Sequence, residues 1–275
     1  MEKRLTMLTS IFLILCLAAT AWAGVPELAE LLLVNQQEKN PTPVLSKTIN
    51  LDEETAYQVQ KIYVQKLLIQ DRIAGFKGGL TSPGVQKKFS LNCPVAGVLF
   101  TSGKIVGYPV VERTAFRGLL IETEIGFLVG KSIDKPLRNL EELKEKISAV
   151  LPVIELPEAG FTSMQDVSGA DIIAANVGAV KFIPGLPRVS SENINSTKVT
   201  LYHDGKVVNQ GKGSEVMEDQ WQAAFWLVNK AIEEGYKIEP GYILMTGAMG
   251  QMIPGQPGNY LADYGDFGKI YFEIK

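Results

Sequence analysis

The chain has 275 residues, of which 46% are hydrophobic and 21% charged, with 26 glycines, 14 prolines, 2 cysteines and a formal net charge of -3. That composition is ordinary for a globular protein and excludes a disordered, collagen-like or coiled-coil chain. The mild acidity argues against a nucleic-acid partner, which requires a basic face or tail, and two cysteines cannot build a disulfide-rich scaffold or a four-cysteine zinc site.

The N-terminus reads as an export signal. Met1-Glu2-Lys3-Arg4 gives a basic start, Ile11 to Ala19 a short apolar run, and Ala21-Trp22-Ala23 an A-x-A end before Gly24. Residues 1–23 are therefore expected to be removed, leaving 24–275 as a periplasmic or secreted protein. Cys93 is then its sole cysteine, so no internal disulfide can form. A retained anchor conflicts with the shortness of the apolar run. A lipid-modified Cys16 conflicts with Leu15 before it and the apolar residues after it. No later stretch reaches about 18 uninterrupted apolar residues, so no membrane partner is expected once the signal is gone.

Gln36 to Lys47 is polar, carries Pro41 and Pro43, and reads as loop. A helix is predicted from Asp52. Asp52 can cap it, Glu53 and Glu54 suit its positive start, and Ala56, Val59, Tyr63 and Leu67 recur at helical spacing. It should end before Gly75. Val95–Phe100, Ile105–Val111 and Gly118–Val129 read as strands. Leu137–Val150 reads as a charged helix, and Val153–Leu156 as a short strand between Pro152 and Pro157. Ile172–Ala179, Lys198–His203 and Lys206–Gln210 are predicted to be β structure, the last two joined by the hairpin signal His203-Asp204-Gly205-Lys206. Glu218–Glu234 is a second strong helix, with Trp221, Ala224, Phe225, Val228 and Ile232 on one face and Gly235 suited to the position after its end. Tyr242–Thr246 and Lys269–Ile274 complete the strands. Many short strands with three helices predict a mixed, mainly β fold of the α+β class, not alternating β-α-β units. Gly126 to Ser132 is one residue short of a phosphate loop, and its apolar interior reads as core strand.

The strand Leu119 to Phe127 carries the first candidate chemistry. Side chains alternate along a strand, so Leu119, Ile121, Thr123, Ile125 and Phe127 share a core face while Glu122 and Glu124 share the other. Residues at i and i+2 lie roughly 7 Å apart along the backbone. Like charges so close on a partly apolar face repel unless a cation or proton sits between them. A third acid, Glu155, interrupts the apolar strand Val153–Leu156, where an unpaired carboxylate would be costly to bury. Three carboxylates converging on one point would form a hard, oxygen-rich site for a divalent cation. The alternative is three glutamates on solvated sheet faces. The second candidate is Lys77, in the glycine-rich run Ala74 to Gly84. It would supply positive charge or a tunable acid/base beside Thr81 and Ser82; the alternative is a solvated turn lysine. The sole histidine, His203, precedes a hairpin turn with no nucleophile elbow nearby and reads as structural. Cys93 lacks a base partner and is expected to be a small buried residue.

These motifs occur in one order: Phe76-Lys77-Gly78-Gly79-Leu80-Thr81-Ser82, then Glu122-Thr123-Glu124, Ile154-Glu155-Leu156, Asn176 after Asp171, Trp226-Leu227-Val228-Asn229 and Thr246-Gly247-Ala248. Together they resemble the 2-keto-4-pentenoate hydratase and 4-oxalocrotonate decarboxylase group of the fumarylacetoacetate hydrolase superfamily, from about Asp52 to the C-terminus. The resemblance implies a mixed, mainly β roll over residues 74–275 preceded by a helical part over 24–73. It implies Mg²⁺ or Mn²⁺ on Glu122, Glu124 and Glu155, an active-site lysine at Lys77, and substrate contacts at Gly79, Leu80, Thr81, Ser82 and Asn176. The implied partner is a small 2-oxo acid such as 2-hydroxypenta-2,4-dienoate, the implied reaction is hydration, and the implied assembly is a homo-oligomer. A non-catalytic 2-oxo acid binder, a decarboxylase or an acylpyruvate hydrolase are the alternatives. The chain departs from the group at Pro94-Val95-Ala96-Gly97, where Pro-Asp-x-Gly is usual, and at Ala174-Ala175-Asn176, where Ala-Asp-Asn is usual. A small hydroxyl residue after the Asn is replaced by Val177-Gly178. Two acids that could take part in proton transfer are therefore missing.

Overall fold

A computed structural model describes residues 24–189 and 193–275; the signal-peptide reading of residues 1–23 lies outside them. The described chain begins with two helices, α1 (Val25–Gln37) and α2 (Glu53–Leu67). Pro26 opens α1, whose Leu28, Ala29 and Leu32 are buried. The α2 cap is the one expected: the Asp52 side chain accepts from the Thr55 N–H, and Ala56, Val59, Tyr63 and Val64 face inward. Then follow β1 (Ile73–Gly79), α3 (Pro83–Lys88), β2 (Val95–Phe100), β3 (Val110–Val111), β4 (Leu120–Val129), α4 (Leu140–Lys146) and β5 (Ile147–Leu156). The rest is α5 (Gly169–Ala174), β6 (Lys181–Pro184), β7 (Lys198–His203), β8 (Lys206–Lys212), α6 (Gln220–Glu233), β9 (Ile243–Met245), β10 (Ile253–Pro254), β11 (Gly258–Asp263) and β12 (Lys269–Ile274).

The strands form two sheets. One is seven-stranded, ordered β2-β1-β9-β4-β5-β6 with β10 paired to β4; the other is five-stranded, ordered β3-β12-β11-β7-β8. Their inner faces share one core. Ile121, Ile125, Phe127 and Ile154 from the larger sheet join Leu201, Tyr260, Ala262, Ile270 and Phe272 from the smaller, and α6 adds Ala224, Leu227 and Val228. A second cluster joins α1 and α2 to α5 through Leu28, Leu32, Val59, Tyr63 and Ile173. This is the mixed, mainly β fold with a helical N-terminal part that the sequence predicts. Among the described residues, no helix is long and apolar enough to cross a membrane.

Several local readings are corrected. The strand predicted over Ile105–Val111 shrinks to its last two residues. The helix predicted over Leu137–Val150 stops at Lys146, because Ile147 to Val150 pair antiparallel with β4 and extend the short strand at Val153–Leu156 to ten residues. Ile172–Ala179 is helical, not β. Ser168 and Asp171 close a capping box that starts α5, and a 3-10 turn over Asn176–Gly178 follows. The glycine-rich run at 74–84 is strand up to Gly79 and not a turn, because β1 pairs with β2 on one side and β9 on the other. Cys93 is exposed, not buried. His203 is structural as read: its ring stacks on Tyr260 and its Nε2 lies 2.9 Å from the Pro257 carbonyl.

Candidate metal centre

The β4–β5 register assembles the acids. The alternation read along β4 puts Glu122 and Glu124 on one face, opposite the buried Ile121, Thr123, Ile125 and Phe127. Glu155 lies directly across from Glu122 in the antiparallel pairing, so its side chain joins the same face. One carboxylate oxygen from each of Glu122, Glu124 and Glu155 lies within 4.8 Å of the others. Glu124 and Glu155 are fully buried, and Glu122 is half-buried.

Lys77 reaches this cluster from β1, beyond β9. The residue is 2% exposed, so the solvated-turn alternative fails: β1 is an interior strand paired with β2 and β9, and the side chain ends against Glu155 and the Val177 carbonyl. Lys77 Nζ donates to Glu155 Oε2 at 2.6 Å, lies 2.5 Å from Glu155 Oε1, and donates to the Val177 carbonyl at 3.1 Å. Glu124 Oε2 accepts from the Gly247 N–H at 2.8 Å, while Glu124 Oε1 has no hydrogen-bond partner. Gly247 has φ +121°, and a Cβ there would lie 2.7 Å from Thr81 Cγ2, so only glycine allows this donor so close under Thr81.

Burial dominates the electrostatics. It pushes the Glu122 carboxyl up to about 8, with the Glu155 charge adding to the rise and Lys77 opposing it. Burial and the Glu122 charge push Glu124 up to about 7, against Lys77 and the Gly247 N–H. Glu155 also rises to about 7 through burial, although Lys77 pulls it down. For Lys77, burial pulls the ammonium down, but Glu155, Glu122 and Glu124 outweigh it and hold the amine charged. Three carboxylates facing one ammonium leave two negative charges when all are ionised, the charge of one divalent cation. The cluster therefore fits such a cation in donor type, in spacing and in the unpartnered Glu124 oxygen.

The remaining expected residues fall around Lys77. Gly79 pairs with Val95, and a Cβ on Gly79 would lie 2.5 Å from Val177 Cγ1. Leu80, at φ 53°, follows β1; Thr81 is buried, and the Ser82 side chain makes no capping hydrogen bond to α3. Asn176 is brought close but committed elsewhere. Its amide accepts from the Val98 N–H at 2.7 Å and donates to the Val98 carbonyl at 2.9 Å. It thereby anchors the segment whose next carbonyl, Val177, holds Lys77. Sequence reasoning missed the main-chain groups of Gly247 and Val177, which carry no side-chain signature. A separate cavity of about 890 Å³, lined in part by Tyr63, Lys66, Arg117, Glu158 and Asn176, includes none of the three acids and not Lys77.

No family model matches the chain. A 2-keto-4-pentenoate hydratase of Burkholderia vietnamiensis is 27% identical over 226 residues, covering 80% of this chain and 85% of that protein. A 2-keto-4-pentenoate hydratase of Paraburkholderia xenovorans is 24% identical over 237 residues, covering 85% and 88%. Among solved structures, 4-oxalocrotonate decarboxylase from Pseudomonas putida G7, complexed with magnesium and adipate, superposes with a TM-score of 0.84 at 23% identity, covering 91% of this chain and 97% of that one. The resemblance read from the motifs is thus borne out, and the fold is that of fumarylacetoacetate hydrolase superfamily proteins.

Proposed function

We propose that this protein is a divalent-metal-dependent hydratase, a carbon–oxygen lyase acting on a small 2-hydroxydienoate or 2-oxo acid such as 2-hydroxypenta-2,4-dienoate. The observation that carries the reading is the meeting of Glu122, Glu124 and Glu155 with Lys77 on one buried sheet face. The likeness to 2-keto-4-pentenoate hydratases over most of the chain supports it. Glu122, Glu124 and Glu155 would hold Mg²⁺ or Mn²⁺, hard cations suited to carboxylate oxygens. Such a cation supplies Lewis acidity that stabilises negative charge on a substrate oxygen. Lys77, fixed between Glu155 and the Val177 carbonyl, moves a proton at the substrate carbon chain as enol becomes ketone. Gly79 and Leu80 shape the wall beside it, and the Thr81 and Ser82 hydroxyls orient the substrate carboxylate and the water that adds at carbon 4. Val95 has no basic atom and cannot accept a proton, so the water's proton must pass, directly or through that hydroxyl set, to a cluster carboxylate.

The test is direct. Purified protein with Mg²⁺ should consume the absorbance of 2-hydroxypenta-2,4-dienoate and yield 4-hydroxy-2-oxopentanoate. Unchanged absorbance at every protein concentration would remove the hydratase reading, and carbon dioxide release from 4-oxalocrotonate without hydration would reassign the cluster to a decarboxylase. One observation favours a second reading. Val95 is fully buried and packs with Val177 around Gly79, an alkyl wall that offers no carboxylate where Pro-Asp-x-Gly is usual. A 2-oxo acid binding protein without turnover would keep the cluster and tolerate that wall. Thermal stabilisation by 2-oxo acids with no product from any of them would support it.

We also propose that residues 24–275 act outside the cytoplasm, on the strength of the Met1 to Ala23 pattern, and as a homo-oligomer. N-terminal sequencing of the protein recovered from cell fractions tests the first, and light scattering of the purified protein tests the second.

A further inference from the structure

The three acids belong to two strands, so their mutual spacing depends on how β4 and β5 are held together at that point. Main-chain directions alternate along a strand. The Thr123 and Ile125 carbonyls accept from Met249 and Thr246 on one side of β4, so the Glu124 N–H points the other way, toward β5. On β5, Val150 exchanges hydrogen bonds with Arg188, and the Pro152 carbonyl accepts from Gly185, so the Val153 carbonyl points back toward β4. Glu124 and Val153 are opposite one another in the register. At this rung a side chain enters the ladder. The Glu124 N–H donates to the Tyr264 hydroxyl at 3.1 Å, and that hydroxyl donates to the Val153 carbonyl at 2.7 Å. Tyr264 is 2% exposed and comes from the turn after β11, in the other sheet.

We infer that Tyr264 is a positioning residue for the metal centre: its hydroxyl, bridging β4 and β5 at Glu124, sets the separation of Glu124 from Glu155 and aims the free Glu124 oxygen into the cluster. Two fixed points make this possible. Tyr264 holds the Glu124 main chain, and Gly247 holds Glu124 Oε2, which leaves Oε1 as the unpartnered atom. The ring of Tyr264 lies in the shared core with Phe267, Ile270 and Phe272, so the smaller sheet buttresses a site it contributes no ligand to. A phenol is well suited to this place, because it both accepts and donates. Phenylalanine keeps the packing but leaves a buried N–H and carbonyl to find each other or go unpaired.

This inference rests on the metal reading above, and one set of Mn²⁺ titrations separates the two. Metal-free wild type, Tyr264→Phe and a control core variant of the same sheet, Phe272→Leu, are titrated with Mn²⁺, and their thermal midpoints are measured alongside. Tyr264→Phe should weaken Mn²⁺ binding about tenfold or more and alter the electron paramagnetic resonance signal of the bound ion. Phe272→Leu should lower the midpoint while binding Mn²⁺ as wild type does. Equal Mn²⁺ affinity in Tyr264→Phe and wild type, or equal weakening in both variants, would overturn the positioning role alone. Wild type that binds no Mn²⁺ would overturn the metal reading itself. Should Tyr264→Phe not fold, a crystal structure of wild type with Mn²⁺ decides. The tyrosine oxygen must bridge Glu124 N–H and the Val153 carbonyl while Glu124 ligates the ion; a hydroxyl elsewhere overturns the inference.

Discussion

Each sheet carries a lysine–carboxylate pair at a similar distance: 2.6 Å for Lys77–Glu155 in the larger sheet and 2.8 Å for Lys269–Asp263 in the smaller. Their consequences are opposite. The Lys269 ammonium lowers the Asp263 carboxyl, as expected of two charges in water. Glu155 rises to about 7 although its lysine is at least as close, because burial and the neighbouring Glu124 outweigh that lysine. An exposed pair is screened and contributes little. A buried pair within a surplus of like charge is a standing cost, which a bound cation would relieve. A surface ion pair therefore says little about function here, whereas an under-compensated interior one identifies the site.

The largest way to break this contrast is Lys77→Ala. It leaves three acids without their ammonium, and loss of one partner from a buried pair costs about 3–5 kcal/mol. Turnover of 2-hydroxypenta-2,4-dienoate should fall to background, and the thermal midpoint should drop further at pH 8 than at pH 6, where the acids can protonate. Measurable turnover in this variant would contradict the role of Lys77. Next is Glu124→Ala. Even groups behind metal ligands typically account for about 10–100-fold in affinity, so losing a ligand should weaken Mn²⁺ binding by about 100-fold or more. An unchanged metal content would contradict the assignment.

The pH dependence is smaller and its sign is fixed. Glu122, Glu124 and Glu155 have folded-state values of about 8, 7 and 7, raised from 4.5. Below 4.5 the carboxyls are protonated in both folded and unfolded chains, so nothing is lost there. As pH rises toward 8 the unfolded chain sheds these protons first, and the metal-free protein loses stability. A tenfold difference in proton affinity between the folded and unfolded chain corresponds to about 1.4 kcal/mol, or roughly 3–6 °C in a chain of this size. Thermal scans at pH 5.5 and 8.5 should show at least that decline without metal, and excess Mg²⁺ should reduce or reverse it. The same decline with and without Mg²⁺ would argue against a cation among these acids. The smallest effect sharpens the comparison from the other side. Lys269→Ala should leave Mn²⁺ affinity unchanged and the thermal midpoint close to wild type, both read in the same titrations and scans.

Much of this was legible in the sequence, and the exceptions are physical. Alternation in Leu119 to Phe127 put Glu122 and Glu124 together without help, because a strand has only two faces. That Glu155 lies across from Glu122 follows from the β4–β5 register, which no local pattern in either strand states. The burial of Lys77 was hidden because glycines around it read as turn, whereas here they allow β2 and β9 to pack closely on β1. The helix α5 did have a signal, Ser168 followed three residues later by Asp171, but the apolar Ile172 and Ile173 outweighed it in a reading by β propensity. The Gly247 and Val177 main-chain contacts and the bridge from Tyr264 exist only once distant segments meet.

The most direct test of the metal centre is an anomalous diffraction map from crystals soaked with Mn²⁺ and oxalate, a mimic of a chelating enolate. One strong peak within bonding distance of carboxylate oxygens from Glu122, Glu124 and Glu155, with oxalate on its open side, is the expected result. No peak there, or a peak elsewhere while the three acids face Lys77 alone, would contradict it.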